Sequence, residues 1–564
     1  MNGVARSRPK DRSRRLSRPA RMQWGGSKPL IPFFLTGRAY QLHDVAQTLN
    51  KPRPHLARRP LWVTAASGTV ALAVAALQIS CGGGSMMSEQ SGGTGSSPQP
   101  QLQLVKLSSD AFTNPDSQHA TEVEPTMFAS GSTIVTAFQV GRTFGGGSSD
   151  IGFATSLDEG ATWTNGLLPG ITVHESGTYN AVSDPAVVFD KAHARWIIVS
   201  LAIGRSIQVV VSGSADAKTW GNPVIVSGTP NADKPWITCD NTSASPYFGH
   251  CYVEWDDPNS NGLIWMSTSN DGGLTWATAV NTADSAAGVG GQPLVQPIGN
   301  VIMPILNGDG TKIIAFTSTN GGRGWNATVT VATITDHAVA GNMRTTTLPS
   351  AAIDAAGTAY VVWQDCRFRV ACASNDLVLS TSQDGNTWSV PVRIPIDATS
   401  STVDHFIPGL SSDSATAGAT AHLSLTYYFY SDTNCLTATC ALNAGFVSSV
   451  DGGNSWSTPT MLAGPMSLSW LPNTSSGVMV GDYVASAYSN GKAYPVLAVA
   501  QANSGSQFSQ AIYTTAAPVA AARLGQARTA VSHLEPVLST RSDHPARRFE
   551  DLDRDLYPKK PPRK

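Results

Sequence analysis

The chain has 564 residues, a formal net charge of −1 and only 14% charged residues, so no overall excess of positive charge points to a nucleic-acid partner. Its 52 glycines and 41% hydrophobic residues are typical of a turn-rich globular protein, and they exclude a coiled coil or a chain that is disordered throughout. The length alone allows two or more domains, although all-β units can be large.

The first 60 residues form a basic leader, which we expect to be disordered. They hold 14 of the 38 Lys and Arg residues against two acidic residues, Asp11 and Asp44. An uncharged, mainly apolar run follows over residues 61–77, and small residues precede Cys81. A positive segment, an apolar core and a small-residue cleavage site together predict an export signal.

Cys81 follows Gln78-Ile79-Ser80 and resembles the lipidated N-terminal cysteine of bacterial lipoproteins. Gln78 departs from that pattern, which usually has Leu at this place. An uncleaved anchor is the alternative, because 17 mainly apolar residues come close to the length that spans a bilayer. We therefore expect an exported protein, either extracellular or attached to the cell envelope through lipid on Cys81 or through the anchor.

Six further cysteines occur as three local pairs. The pairs are Cys239 and Cys251, Cys366 and Cys372, and Cys435 and Cys440. An even set at short spacings in an exported chain predicts disulfides. Zinc is the alternative, but no pair has Cys-x-x-Cys spacing and no histidine cluster accompanies the cysteines. We predict three disulfides.

Composition divides the chain into five segments. The basic leader covers residues 1–60, the signal or lipoprotein segment 61–81 and a flexible Gly-, Ser-, Gln- and Pro-rich linker 82–101. Residues 102–515 alternate short apolar runs with Gly, Asn, Asp and Ser and show no helical period, which predicts an all-β domain. Residues 516–564 are Ala-rich and then become a charged, Pro-rich tail.

One short motif recurs six times in the β domain. Each copy begins with Ser, has Asp or Asn two residues later and ends in Trp; the copies span residues 156–163, 214–220, 269–276, 318–325, 382–388 and 449–456. The Asp accepts hydrogen bonds from the backbone that follows it, Gly supplies a positive φ, and Trp begins the next strand. The recurrence of one motif at similar intervals along the chain predicts repeated supersecondary units.

The motif resembles the Asp box of the exported bacterial sialidase-like β-propellers, which carry it as a structural turn (also called the BNR repeat). A second repeat precedes each box, a proline that begins a strand; the copies are Pro125, Pro185, Pro235, Pro293, Pro349 and Pro408. We predict that these begin the innermost strands of blades, with a seventh such strand after Gly481. Seven blades are favoured, closed by an outer strand from residues 102–107; six, the number in the family's sialidases, is the alternative.

The resemblance implies an exo-α-sialidase type of glycoside hydrolase, which uses a Tyr nucleophile, an Asp acid/base and three arginines that hold the substrate carboxylate. Carried over to this sequence, Asp150, in the loop just before the first box, stands for the acid/base and Tyr483 for the nucleophile, with Asp184 a further catalytic carboxylate. Arg142, Arg344 and Arg367 are the candidates for the clamp, and Asp233, Asp404 and Asp482 are candidate substrate contacts. In an antiparallel meander these residues would share the face opposite the boxes.

The departures from the family leave another reading open. In the family, an Arg-Ile-Pro motif precedes the first box, whereas the Arg393-Ile394-Pro395 of this chain follows the fifth box. In addition, no Glu partner for Tyr483 can be identified from the sequence. A non-catalytic propeller that binds glycan or protein at the same face is therefore the alternative function, and a lyase-type or cation-dependent polysaccharide enzyme is a third. We expect a monomer without a cofactor; a structural divalent cation on the carboxylate-rich axis is the alternative.

Overall fold

The computed structural model describes residues 102–226 and 231–519, together with the backbone of residues 526–527. All of them belong to one unit that spans Thr94–Lys564. The leader, the signal segment with Cys81, the whole linker and most of the tail lie outside the described residues. Within the described ranges no helix is long and apolar enough to cross a membrane.

Strands make up nearly all of the regular structure. The first strands are β1 (Leu104–Lys106), β2 (Val123–Ser130), β3 (Thr133–Arg142), β4 (Ser148–Ser156), β5 (Thr164–Leu167), β6 (Ala181–Asp190), β7 (Arg195–Ile203), β8 (Ile207–Ser214), β9 (Val224–Ile225), β10 (Asp233–Cys239), β11 (Cys251–Asp257) and β12 (Leu263–Ser269). The next are β13 (Gly288–Val289), β14 (Leu294–Val295), β15 (Val301–Asn307), β16 (Lys312–Ser318), β17 (Val329–Thr333), β18 (Ser350–Ile353), β19 (Ala359–Asp365), β20 (Asp376–Ser382), β21 (Val392–Arg393), β22 (Asp404–Ser412), β23 (Leu423–Tyr430) and β24 (Ala441–Ser449).

The last strands are β25 (Ser455–Trp456), β26 (Thr460–Ser467), β27 (Asn473–Thr474), β28 (Gly477–Val478), β29 (Ala485–Ser489), β30 (Lys492–Ala500), β31 (Gln510–Thr515) and β32 (Gln526–Ala527). The described helices are short 3₁₀ turns at Val173–Glu175, Pro258–Ser260, Val370–Cys372, Gly418–Thr420 and Leu468–Trp470.

Consecutive strands pair as antiparallel meanders, and the arrangement is a β-propeller, as the sequence predicts. In the described residues, five sheets have three to five strands: β10–β12, β13–β17, β18–β21, β22–β24 with β26, and β29–β31 with β1. An eight-stranded sheet contains β2–β9; its two halves are joined through the single residue pair Ser148 and Val182.

The propeller closes on itself through β1, the first strand of the described residues. β1 pairs with β31, with Leu104 opposite Thr515 and Lys106 opposite Tyr513, which confirms the predicted closing strand. Lys492 at the start of β30 also reaches across to Glu159, with Nζ and Oε2 2.6 Å apart. Pairing of the two ends removes a free sheet edge, which would otherwise be a site for aggregation.

The apolar core lies between neighbouring meanders. The middle strands are buried on both faces; seven of the nine residues of β7 are buried in an unbroken run. Trp255, Trp363 and Trp456 are among the largest fully buried side chains, and each fills the space between two adjacent sheets. Burial of side chains of this size contributes about 2–3 kcal/mol each, which favours stacking of the meanders.

The six box segments form the turns that follow the third strand of a meander. In the third copy, Asp271 Oδ1 accepts the Thr275 N–H at 2.9 Å and the Ser269 hydroxyl at 2.8 Å, while the Gly273 N–H donates to Ser269 Oγ at 2.9 Å. Gly272 and Gly273 have φ of 74° and 80°, which an L side chain rarely adopts. The turn therefore depends on local bonds and glycine.

We expect Asp451→Ala to lower the free energy of unfolding by about 1–2 kcal/mol, because three donors lose one acceptor. Asp451 accepts the Ser455 N–H at 2.8 Å, the Ser455 hydroxyl at 2.6 Å and the Ser449 hydroxyl at 2.8 Å. Denaturant unfolding of the full-length protein measures the change. Asp432→Ala, which removes an exposed acceptor of the single Asn434 N–H, is the control; an equal loss in both variants would contradict a specific role of the turn.

The three predicted disulfides are confirmed. Cys239 and Cys251 join β10 to β11. Cys366–Cys372 closes the connection between β19 and β20, and Cys435–Cys440 closes the connection between β23 and β24. The last two bonds constrain loops between second and third strands, and all three are consistent with an exported protein.

Candidate functional site

The site begins with a backbone feature that four innermost strands share. The residue before proline has a positive φ at Glu124 (55°), Asp184 (48°), Lys234 (47°) and Ile407 (50°). At each place the register of the innermost strand with its neighbour shifts by one bulge. Proline has no N–H to pair, so it fits a bulge, and the bulge turns the preceding side chain away from the ladder.

The bulges bring Lys234 and Asp184 together with Asp482. Lys234 Nζ lies 3.1 Å from Asp184 Oδ1 and 2.7 Å from Asp482 Oδ2. Arg344 binds the same carboxylate through two bonds, from Nε to Oδ1 at 2.8 Å and from Nη2 to Oδ2 at 2.6 Å. All four side chains are buried. We call these residues the axial ion-pair group.

A chain of polar side chains extends the group to the first meander. The Gln139 amide donates to Ser183 Oγ at 3.2 Å and also to Glu124 Oε2, and Ser183 donates to Asp184 Oδ2 at 2.7 Å. Arg142 Nη1 donates to Gln139 Oε1 at 3.2 Å. Hydrogen bonds therefore link the axial ion-pair group to further side chains on β2, β3 and β6.

Gly481 allows the backbone at Asp482 to come close to Glu124. The Asp482 N–H donates to Glu124 Oε1 at 3.3 Å across 358 residues of sequence. Gly481 has a φ of 143°, and a Cβ at this position would lie 2.8 Å from the backbone nitrogen of Glu124. Only glycine allows the two backbones to approach so closely.

Two carboxyls of the site have opposite protonation preferences. Burial and the negative charge of Asp184 raise the pKa of Glu124 to about 8, so Glu124 is largely protonated at neutral pH. Burial also acts to raise the pKa of Asp482, but the charges and hydrogen bonds of Arg344 and Lys234 outweigh it and hold that pKa well below its usual range. A neutral carboxyl thus lies beside an ionised one.

A narrow cleft opens next to the axial ion-pair group. Its lining is Lys234, Pro235, Trp236, Gly290, Gln292, Leu348, Pro349, Pro408, Asp482 and Tyr483. These residues come from the innermost strands of several meanders and from the segments that lead into them. Trp236 is half-buried and packs edge to face on Tyr483, with ring centroids 5.2 Å apart. The cleft therefore has an aromatic wall beside paired charges.

Tyr483 is placed as a donor rather than as an activated nucleophile. Its hydroxyl donates to the backbone carbonyl of Pro185 at 3.2 Å. Burial, together with the negative charges of Glu124 and Asp184, raises its pKa well above the ordinary value for tyrosine. An ionised Tyr483 is thus disfavoured in this arrangement.

Asp150 has no direct contact with Tyr483 or with the axial ion-pair group among the described hydrogen bonds and ion pairs. We predicted a loop position for Asp150, and this was wrong: it lies within β4, opposite Val140. Its carboxylate accepts the Ile151 N–H at 2.7 Å and the Thr172 hydroxyl at 3.1 Å. Burial raises its pKa well above the usual range.

The three arginines that we expected to form one clamp have separate partners. Arg142 bonds Gln139 and the Gly147 carbonyl, and Arg344 bonds Asp482. Arg367 binds Asp365, with Nε 2.9 Å from Oδ1 and Nη2 2.6 Å from Oδ2. In the described contacts Arg142 and Arg344 thus join the axial network, and Arg367 does not.

The two remaining candidate carboxylates occupy different places. Asp233 lies beside Lys234 at the start of β10 and is paired with Asp256 across the strands; its Oδ1 accepts the Lys234 N–H at 2.9 Å. Burial and the charge of Asp233 raise the pKa of Asp256 well above its usual range. Asp404 begins β22, away from the axial ion-pair group, and faces His337 with Oδ2 3.3 Å from Nδ1.

Sequence reasoning missed several residues of the site. Gln139 and Ser183 lie inside strands, and no local motif marks them as polar links. Lys234 and Trp236 were visible as neighbours of Pro235, and the repeated proline was the signal that locates them. His337 lies in a connecting segment with no motif of its own.

Two groups of side chains in the described residues have donor atoms close enough for a metal ion. One consists of Asp190, Cys239 and Cys251, whose two cysteines form a disulfide. The other consists of Asp376, Asp397 and His405, where Arg369 and Arg393 already bind both carboxylates. The guanidinium groups supply the positive charge that a cation would bring. Neither group therefore supports a metal site.

The fold and the axial ion-pair group define the protein as a β-propeller with a charged axial site. No protein-family model and no curated protein matches the chain. Solved structures resemble it at low identity. A protein of unknown function from Dyadobacter fermentans has 16% identity and a TM-score of 0.40, and the match covers 62% of this chain and 100% of that one.

Two enzymes are similar at the same level. An ulvan lyase of polysaccharide lyase family PL25 has 11% identity and a TM-score of 0.44, covering 73% of this chain and 96% of that one. The leech intramolecular trans-sialidase has 14% identity and a TM-score of 0.37, covering 74% and 69%. Similarity this low carries no argument about function, and the assignment of the fold follows from the strand pairing of this chain.

Proposed function

We propose that this protein is an exported β-propeller that binds glycans in the axial cleft, with an acidic sugar as its ligand. The observation that carries the proposal is the half-buried Trp236 ring beside Lys234 and Asp482 in the lining of the cleft. Concave sites with an aromatic wall and a few fixed polar groups are typical of small-ligand binding. The C–H face of a sugar can pack on the indole while its polar groups reach the charges.

The ion pairs favour binding over covalent chemistry. Lys234 and Arg344 hold Asp482 in one geometry, and the Tyr483 hydroxyl is held by the Pro185 carbonyl. Such a site is preorganised, so a ligand loses little affinity to the ordering of side chains.

Trp236→Ala is expected to weaken binding of an acidic sugar at least tenfold, because the aromatic wall is lost. Binding is measured by calorimetry with the full-length protein and N-acetylneuraminic acid or galacturonic acid, after a glycan array has ranked the ligands. Trp163→Ala is the matched control, since Trp163 is also partly buried but belongs to a box turn. Equal affinity of the two variants would refute the cleft as the binding site.

A hydrolase of the exo-α-sialidase type is the second candidate. The observation in its favour is the neutral Glu124 beside the ionised Asp482, since glycosidases use a carboxyl acid together with a carboxylate. A fluorogenic sialoside tests it, with Tyr483→Phe, Asp150→Ala and Glu124→Gln. Turnover lost with Tyr483→Phe and Asp150→Ala in folded protein would support the family mechanism. Turnover lost only with Glu124→Gln would support Glu124 as the acid, and no turnover leaves binding as the function.

We further propose seven blades and attachment through Cys81. The eight-stranded sheet divides naturally at the single pair of Ser148 and Val182, which makes β2–β5 and β6–β9 separate blades. A crystal structure with six blades would refute the count. Mass spectrometry of the N-terminal peptide tests the attachment, and an unmodified Cys81 in the membrane fraction would refute the lipid.

A further inference from the structure

The segment of residues 334–349, between β17 and β18, leads from an outer strand to the axial cleft. Near its start Thr335 donates to Asp365 Oδ1 at 3.2 Å, the same carboxylate that Arg367 binds. At its end Leu348 and Pro349 line the cleft. Arg344, from the same segment, binds Asp482. We call this segment the crossover.

Hydrogen bonds hold the backbone of His337 on the crossover, and its ring lies beside a fixed carboxylate. Asn375 accepts the His337 N–H through Oδ1 and donates from Nδ2 to the His337 carbonyl, each at 2.7 Å. The Asn375 N–H also binds Asp404 Oδ1 at 2.7 Å, so the carboxylate that faces the His337 ring is itself fixed. The ring is thereby oriented with Nδ1 towards buried Asp404.

The other edge of the His337 ring is available to a ligand. The side chain is 26% exposed, and Nε2 has no hydrogen-bond partner among the described residues. The interaction with Asp404 raises the pKa of His337 although burial acts to lower it, and the charge of the neighbouring Asp336 adds to the increase. A protonated imidazole offers an N–H donor and a positive charge at this edge.

Arg367, near the start of the crossover, is also a cation held against a buried carboxylate. Its back edge binds the fully buried Asp365 and the Thr333 carbonyl, yet a quarter of the side chain stays exposed. It lies in the loop that the Cys366–Cys372 disulfide closes. Fixed cations with buried carboxylates behind them are preorganised to bind anions.

We propose that the axial cleft, His337 and Arg367 form one continuous track that binds an anionic polysaccharide over several sugar residues. This inference rests on the proposed function and names its ligand as a chain of uronic acids rather than a single terminal acidic sugar. Asp404, which faces His337, begins β22, and Pro408, four residues further along the same strand, lines the cleft. Four residues of strand span about 13 Å when fully extended and somewhat less across the bulge between Phe406 and Gly409. A single ring does not reach both places.

The chain length of the ligand tests the track. Calorimetry with the full-length protein compares galacturonic acid with its linear oligomers of two to six residues. We expect the hexamer to bind at least tenfold more tightly than the monomer. His337→Gln and Arg367→Lys should each remove about half of that gain in free energy and leave the affinity for the monomer unchanged. Arg323→Gln, an exposed arginine of a box turn, is the control.

The outcomes separate the track from the proposed function. Equal affinity for monomer and hexamer, with binding that depends on Trp236, would overturn the track and leave the cleft intact. A hexamer advantage that survives both substitutions would overturn the assignment of His337 and Arg367. No binding at any length, including to other acidic sugars, would overturn the proposed function itself. Arg367→Lys keeps a cation beside Asp365, so the variant tests ligand contact without leaving a buried carboxylate unpaired.

Discussion

Replacement of Lys234 by methionine is expected to destabilise the protein by about 3–5 kcal/mol. Lys234 contacts both Asp184 and Asp482, and its side chain is only 9% exposed. Methionine fills a similar volume, so the change chiefly removes the charge. Asp184 then keeps the Ser183 hydroxyl and Asp482 keeps Arg344, but two buried carboxylates share one cation fewer.

Denaturant unfolding of the full-length protein measures this effect, and Lys492→Met provides the control. Lys492 also makes a Lys–carboxylate pair, with Glu159, but half of its side chain is exposed, so water replaces the lost partner and we expect no measurable change. Asp184→Asn in the Lys234→Met background should recover part of the stability, since it removes an unpaired charge. Equal stability of the two lysine variants would mean that the axial group is hydrated and weakly coupled.

The parts of the fold that local chemistry determines were predictable from the sequence. The box turns form around Asp, Ser and Gly within eight residues, and the three disulfides join cysteines no more than 12 residues apart. The repeated prolines also marked the innermost strands, although the prediction that each begins its strand was wrong for Pro125, Pro185, Pro235 and Pro408, which lie at bulges inside the strands and cannot pair there. Each of these signals lies within one meander, so one repeat unit contains all of the information.

The site was less predictable because its contacts cross between meanders. Asp482 meets Glu124 from 358 residues away, and Arg344 reaches the same carboxylate from the crossover. The sequence identified Asp184, Asp482, Tyr483 and Arg344 as candidates for one face, but only the geometry pairs them. A pre-proline bulge points Lys234 to the axis, and no propensity distinguishes that outcome from an exposed lysine.

Resemblance to the sialidase-like propellers was informative about turns and less so about roles. Asp150 was placed by its position before the first box, yet the side chain turns towards Thr172. Arg367 is a candidate for the clamp by the same resemblance, yet its partner is the carboxylate two residues before it. Roles depend on the direction of a side chain, and in a strand that direction reverses with every residue.

The stability of the protein is expected to fall as the pH rises from about 5 to 8, and Glu122→Gln should reduce this fall. Burial raises the pKa of Glu122 to about 8 from an ordinary value of 4.5, and the Ser108 hydroxyl donates to its carboxyl at 3.1 Å. Between these two values the folded state holds a proton that the unfolded state has released. The free energy of unfolding therefore decreases with pH in this window and levels off above the folded pKa.

Glutamine is neutral at every pH and keeps an acceptor for Ser108, so the variant should be more stable than the parent protein above pH 8, by several kcal/mol at most. Unfolding at pH 5, 7 and 9 measures the difference.

Asp432→Asn, which changes an exposed carboxyl, is the control and should keep the dependence of the unfolding free energy on pH that the parent protein shows. Glu124 has its pKa raised in the same direction, so Glu122→Gln removes only part of the slope and the double variant with Glu124→Gln removes more. Parallel pH profiles for Glu122→Gln and the parent would show that Glu122 is ionised in the folded protein, which would require water or a cation beside the closing strand β1.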